Sequence, residues 1–248
     1  MTIELIILAS IAYLIAGTIK GTVGIGLPTA SIGILSQFTD PRFAISLVVF
    51  PILFSNAYQI FREGQVLQTL KSYYPFAIAL MIVLMCMTFV TASIETNVLI
   101  LMLGSVMVLF SLSSFISDPP ALPDHLDKPF QILAGTCSGL IGGLTAIWAP
   151  PMVIYLLSRR VDKTEFIRAT GLLIFLGGIS LAIGFWQAGL LSAEVSMLSI
   201  GMIVPTLIGF SLGEWIRRRI DAAKFRKIVL MIFLMMGLNL IRKALFDL

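Results

Sequence analysis

The chain has 248 residues, 58% of them hydrophobic and only 12% charged, whereas soluble domains carry about 25% charged residues. This composition excludes an ordinary water-soluble domain, and at roughly 20 apolar residues per crossing the length allows about eight membrane crossings. The net charge of +4 does not indicate a nucleic-acid partner, because basic residues of membrane proteins gather on cytoplasmic loops.

The first apolar segment, residues 4–36, is too long and too rich in glycine to be one ordinary helix. As a helix it would extend about 50 Å at 1.5 Å per residue, against a hydrocarbon core of about 30 Å. It must therefore tilt strongly, break or turn back. Glu4 precedes the apolar run and no basic region does, so we interpret the N-terminus as mature sequence and not as a signal peptide.

Ordinary apolar spans and a second long segment follow along the chain. The main polar stretch is residues 117–128, whose prolines and mixed charges cannot lie in lipid. We therefore predict a first transmembrane repeat at 1–116, a polar linker at 117–128 and a second repeat at 129–248. The predicted segments are 4–36, 43–61, 73–94, 96–116, 129–158, 166–187, 195–216 and 228–246.

The two halves align as diverged copies of one unit. Gly17, Gly21 and Gly24 each have a glycine 118 positions later in the second half. Chance pairing in glycine-rich membrane sequence is the alternative interpretation. The pattern predicts an all-α integral membrane protein with two homologous repeats, each a broken or re-entrant Gly-rich segment plus three transmembrane helices.

Basic residues favour a topology in which both long segments enter and leave on one side. With the N-terminus outside, this arrangement puts more Lys and Arg on the cytoplasmic side than eight single crossings would. Three true crossings per repeat is an odd number, so the second repeat is predicted to be inverted relative to the first, as in many secondary transporters. Whether the two segments cross or re-enter stays open at this point.

The two Gly-rich runs are the first candidates for a binding site. Non-helical backbone at membrane depth is tolerated only where it is buried in protein or lines an aqueous cavity. A half-helix that follows such a break presents free N–H groups and a partial positive charge, which suit an anion. The alternative is that the small residues only let helices pack closely.

Lys20 is the most informative single residue, since it lies between Gly17 and Gly21 within a long apolar segment. An unpaired charge there is costly. A bound anion or backbone carbonyls at the break could compensate it; alternatively, residue 20 lies nearer the interface and snorkels. Its repeat counterpart, Ser138, is uncharged, so a symmetric two-lysine site is excluded.

Polar and aromatic residues elsewhere complete the candidate site. Arg168 opens an apolar helix and is either a cytoplasmic anchor or an anion-attracting group at the cavity mouth. Ser55, Asn56 and Gln59 lie on one side of a helix, where they either bond to neighbouring helices or line the pathway. The predicted substrate-binding residues are Thr18, Lys20, Gly21, Thr22, Gly24, Gly26, Ser55, Asn56, Gln59, Thr136, Ser138, Gly142, Gly143, Thr145, Trp148, Arg168 and Ser180.

Metal, disulfide and enzymatic chemistry are not indicated. Cys86 and Cys137 lie in apolar segments, and His125 lies in the polar linker. Paired carboxylates, a histidine cluster or a nucleophile with its base are not found within the apolar segments. We therefore predict no enzymatic activity and no cofactor.

Each Gly-rich segment is followed by a basic turn and an A-x-x-L-x-x-F helix. The segments read LIAGTIKGTVGIGLP and ILAGTCSGLIGGLTAIWAPP, and the helices start at Ala44 and Ala169. From Ile7 to about Leu240, this arrangement resembles the sulfite exporter TauE/SafE family. The resemblance implies a multi-pass protein of a bacterial cell inner membrane, or of an archaeal plasma membrane, that exports sulfite, sulfoacetate or related organosulfonates. In the first repeat, Gly-Ile-Gly-Leu-Pro replaces a longer glycine run and Lys20 interrupts it, which leaves open which anion is carried.

These observations predict a secondary transporter of a small sulfur-containing anion, working by alternating access around a midplane site between the two breaks. A passive anion channel, an importer of another oxyanion and a membrane-embedded enzyme or assembly partner are the alternatives. The expected partners are the small anion and membrane lipid. The coupling proton or cation and the oligomeric state stay open.

Overall fold

The protein is a bundle of α-helices in a computed structural model that describes residues 2–115 and 119–246. All regular secondary structure in these ranges is helical, as predicted, with one short 3-10 turn at Asp124–Leu126 in the linker. Residues 116–118, where the predicted fourth segment ends and the predicted linker begins, lie outside the described ranges. The helices are α1 (Ile3–Val23), α2 (Leu27–Leu35), α3 (Pro41–Leu47), α4 (Val49–Glu63), α5 (Val66–Ser93), α6 (Thr96–Phe115), α7 (Asp127–Thr145), α8 (Ala149–Ser158), α9 (Lys163–Gln187), α10 (Ala193–Gly201), α11 (Ile203–Arg217) and α12 (Ala222–Phe246).

Seven stretches of the described chain are long and apolar enough to cross a membrane. They are α1, α3 with α4, α5, α6, α9, α10 with α11, and α12. Helix α8 is apolar but too short to cross alone. The chain is therefore a multi-pass membrane protein, as its composition indicates.

Both Gly-rich segments are interrupted near the predicted places. Helix α1 ends at Val23, and Gly24 and Gly26 adopt φ values of +93° and +103°, which glycine reaches without steric cost. Helix α7 ends at Thr145, where Ala146 takes the left-handed conformation with φ of +55°. The short helices α2 and α8 then begin with a proline at the first or second position, where its missing N–H costs nothing.

The second broken segment turns back to the side from which it starts. The Tyr155 hydroxyl at the end of α8 donates to Asp127 at the start of α7, with an O–O distance of 2.7 Å. Arg159 forms ion pairs with Asp124 and Asp127 at 2.8 and 3.1 Å. The hydrogen bond with Asp124 raises the pKa of Arg159. These contacts close a helical hairpin. Of the two alternatives that the sequence left open for residues 129–158, crossing or re-entry, this hairpin has the re-entrant shape.

Two spans that the sequence predicted as single helices are kinked. The stretch 41–63 bends at Val48, and 193–217 bends at Met202. Pro51 has no N–H for the Leu47 carbonyl, and the Ser199 hydroxyl donates to that carbonyl instead, at 2.7 Å. Two kinked spans thus join at one serine, which was not foreseen because the contact depends on tertiary packing.

Glycines allow close packing between particular helices. Helix α1 packs on α11 through Gly17 and Gly21, and α7 packs on α5 through Gly135 and Gly139. A Cβ atom added at Gly17 would collide with the carbonyl oxygen of Thr206. In each pair the two helices run in the same direction.

Two other helix pairs run antiparallel. Helix α4 packs against α9, and α6 packs against α12. In the second pair, Phe110 lies beside Phe233, while Gly104, earlier in α6, lies beside Ile241, later in α12.

We expect the Arg217 end of α11 to face the cytoplasm and the Glu194 end of α10 to face outward, because the opposite orientation would invert the strongest charge bias of the chain. Single cysteines at 194 and 218, with Cys86 and Cys137 replaced by serine, should report this in intact cells. A membrane-impermeant maleimide should label position 194 and spare position 218. The reverse labelling would refute this orientation.

Candidate functional site

Lys20 lies at the centre of a buried polar cluster between α1 and α4. Its Nζ atom donates to the side-chain oxygens of Ser55 at 3.0 Å and Asn56 at 2.7 Å. The Asn56 amide nitrogen and the Ser55 hydroxyl each donate to the Ile52 carbonyl. Both side chains therefore present an accepting oxygen to the lysine.

Among the residues that the structure describes, no carboxylate forms an ion pair with Lys20. The side chain is only 2% exposed, and within residues 2–115 and 119–246 its hydrogen bonds go to neutral oxygens. The snorkelling interpretation is therefore wrong, because Lys20 points into the protein. An ammonium has three N–H donors, of which Ser55 and Asn56 take two. A buried cation of this kind is costly unless an anion completes its surroundings.

A basic pocket lies just beyond Lys20, at the first break. Its volume is about 270 Å³, and the Thr22, Gly24 and Thr170 positions are among those that line it. Three cations from three helices also line it: Lys163, Arg217 and Arg226. From the sequence, these three residues were interpreted only as markers of membrane orientation. A basic residue at a helix end gives the same sequence signal whether or not it lies near another one in the fold.

The second break is filled by an aromatic side chain. Trp148 is 2% exposed and packs against Gly142 and Gly177. The Thr145 hydroxyl accepts from the Ile147 N–H at 3.2 Å and so caps the turn. Within the described chain the Trp148 indole N–H and the buried Ser138 hydroxyl have no hydrogen-bond partner. The two breaks thus differ, because a basic pocket opens at the first and a buried indole occupies the second.

Several predicted site residues serve in helix packing. The Thr18 hydroxyl donates to the Leu14 carbonyl, and the Thr22 hydroxyl lies within bonding distance of the Thr18 and Gly213 carbonyls. A Cβ at Gly21 would collide with α11, and one at Gly143 would collide with Met87 of α5. Among the predicted residues of the first Gly-rich segment, Thr22 and Gly24 line the basic pocket, and Gly26 lies in the break beside it.

The remaining predicted residues lie apart from Lys20. Gln59 is buried, but its amide donates to the Ile167 carbonyl at the start of α9. Arg168 donates to the Glu63 carbonyl and to the Gln65 side chain, so it fastens the turn between α4 and α5. Ser180 is buried within α9, and Thr136 is half-buried on α7.

Comparison with known proteins gives one result. The model of the family described as sulfite exporter TauE/SafE matches residues 9–240, almost the whole chain. No curated protein and no solved structure matches the chain.

Proposed function

We propose an activity from one premise: the chain belongs to the sulfite exporter TauE/SafE family. This membership supports transport of sulfite or a related anion across a membrane, and we propose no enzymatic activity. The activity that we propose is secondary export of a small sulfur-containing anion, such as sulfite or sulfoacetate, across a bacterial inner membrane. The partners are that anion, membrane lipid and a coupling proton or cation.

The buried Lys20 is the observation that carries this proposal. Lys20 lies one helical turn before the first break, and its ammonium is held by two neutral oxygens. A permanent carboxylate partner would cancel the charge and leave nothing to attract a substrate. With the neutral oxygens of Ser55 and Asn56 as its hydrogen-bond partners, Lys20 has no bonded counter-charge there that would compete with a passing anion.

We propose further that residues 1–116 and 129–248 are inverted repeats joined by the linker 117–128. Helices α4 and α9, which occupy equivalent places in the two halves, run antiparallel, as do α6 and α12. Helix α1 pairs with α11 as α7 pairs with α5, and the equivalent glycines Gly17 and Gly135 lie in these contacts. This exchange of partners supports a two-fold relation in the membrane plane and alternating access between the two breaks.

Purified protein should test the function directly. The panel is sulfite, sulfoacetate, sulfate, thiosulfate and taurine. We expect sulfite or sulfoacetate to raise the melting temperature, because a ligand that binds only the folded state stabilises it. A panel in which only taurine raises the melting temperature is not expected. Proteoliposomes should then accumulate the labelled anion above its external concentration when a proton or sodium gradient is imposed, while protein-free liposomes should not.

Two outcomes would contradict the proposal. Flux that stops at equal concentrations under every gradient would identify a passive channel. If none of the five compounds binds or is transported, sulfur anions are excluded as the substrate class.

A further inference from the structure

The basic pocket at the first break collects positive charge from distant parts of the chain. Lys163 is the first residue of α9, Arg217 is the last of α11, and Arg226 lies in the first turns of α12. These positions are separated by up to 63 residues in sequence, yet they face one cavity of about 270 Å³. Three cations at one cavity raise the local concentration of anions.

Three carboxylates close in sequence to these cations bind other groups in the part of the chain that the structure describes. Asp162 caps α9 by accepting from the Thr164 and Glu165 N–H groups. Glu165 accepts from the Tyr73 hydroxyl, and Glu214 pairs with Arg62. In the described ranges, Arg226 donates to the Ser114 carbonyl at 3.5 Å, and the ion pairs found there do not involve Lys163, Arg217 or Arg226.

One wall of the pocket is formed by the end of α1, the helix that carries Lys20. A Cβ atom added at Gly24 would meet nothing within 4 Å, so an anion can approach the backbone there. The Gly24 N–H donates to the Lys20 carbonyl at 2.7 Å. Thr22 and Thr170 contribute hydroxyl-bearing side chains to the pocket lining. The pocket therefore lies one helical turn beyond Lys20 along α1.

We propose that Lys163, Arg217 and Arg226 form a loading site that selects doubly charged oxyanions before they reach Lys20. This proposal rests on the proposed export function and specifies its substrate class. Three cations favour a dianion, such as sulfite, thiosulfate or sulfoacetate, over chloride or the zwitterion taurine. The cavity has the volume of about nine water molecules at about 30 Å³ each, so it can hold such an ion with part of its hydration shell.

Neighbouring basic residues supply matched controls. Arg218 and Lys227 adjoin Arg217 and Arg226 in sequence and carry the same charge, but they are exposed and do not line the pocket. A role in membrane insertion alone would make all four residues equivalent. A loading site makes only Arg217 and Arg226 matter.

The first test does not depend on the natural substrate. Val23 also lines the pocket, so Val23→Cys, with Cys86 and Cys137 replaced by serine, places one thiol there. In purified protein, an anionic sulfonatoethyl thiosulfonate should modify this thiol faster than a cationic trimethylammonium analogue. Arg217→Gln and Arg226→Gln should each lower the anionic-to-cationic rate ratio by about 10-fold, whereas Arg218→Gln and Lys227→Gln should leave it unchanged. Equal ratios in all four variants would overturn the proposal.

The second test uses transport in proteoliposomes. Arg226→Gln should raise the half-saturating concentration of sulfite or sulfoacetate by about 10-fold at low salt, and Lys227→Gln should not. Unchanged saturation in Arg226→Gln, with transport intact, would overturn the loading site and leave the proposed function standing. If the parent protein moves no sulfur anion while the thiol ratios still separate the two pairs of variants, the export function fails and the anion site remains.

Discussion

Lys20→Ala is expected to lower the affinity for the transported anion by about 10- to 150-fold. A hydrogen bond to a charged group contributes about 1.5–3 kcal/mol, and here the lysine supplies the only charge in its buried cluster with Ser55 and Asn56. The protein should still insert and fold, since the substitution also removes a desolvated cation. Lys20→Arg should do less harm, although the larger planar guanidinium fits this space less well.

Asn56→Asp separates an electrostatic role from a structural one. The aspartate would keep an oxygen beside the Lys20 ammonium but would cancel its charge. If Lys20 binds the anion, affinity should fall nearly as far as in Lys20→Ala, although the new ion pair holds the lysine in place. A purely structural lysine would instead tolerate this change well.

Affinity should be measured by titrating purified variants with sulfite and sulfoacetate, with the melting temperature of each variant as the check on folding. A well-folded Lys20→Ala protein that binds as the parent does would discard Lys20 as a ligand. The main anion-binding groups would then be the N-terminal ends of α2 and α8.

The features predictable from the sequence were those that depend on composition or on single residues. Apolar length indicated the spans, and clusters of glycine and proline indicated where both long segments break, because glycine weakens a helix and proline interrupts its hydrogen bonds. An isolated charge in apolar sequence marked Lys20, since only a special environment tolerates it. The neighbours of Lys20 were not predictable as its partners, because Ser55 and Asn56 are 35 and 36 residues away and meet it only where α1 crosses α4.

The basic pocket shows the limit of reasoning from local pattern. Lys163, Arg217 and Arg226 each stand near a helix end, where the positive-inside rule already explains a cation. Only the packing of α9, α11 and α12 around the first break distinguishes them from Arg218 and Lys227. The glycines posed the same difficulty, since Gly21 and Gly24 are three residues apart and one packs a helix while the other opens the break.

Gly21→Ala is expected to destabilise the protein by about 1–3 kcal/mol or more, the usual cost of overpacking. A Cβ at Gly21 would lie under 3.0 Å from the Phe210 carbonyl oxygen, which cannot move away as a flexible side chain could. Helices α1 and α11 would have to separate, and the Thr22 hydroxyl would draw away from the Gly213 carbonyl. The melting temperature and the yield of monodisperse protein should both fall.

Gly201→Ala is the matched control, because the new methyl would meet nothing within 4 Å and alanine favours the helix. It should leave the melting temperature unchanged or slightly higher.

Gly21 and Gly213 face each other across the α1–α11 contact. The double variant Gly21→Ala with Gly213→Ala should therefore lose less stability than the sum of the two single variants, because helices that have already separated for one methyl group have room for the second. Full additivity would mean that the two glycines act independently. An unchanged melting temperature in Gly21→Ala would contradict the close α1–α11 contact itself, and Gly21 would return to the candidates for the anion path.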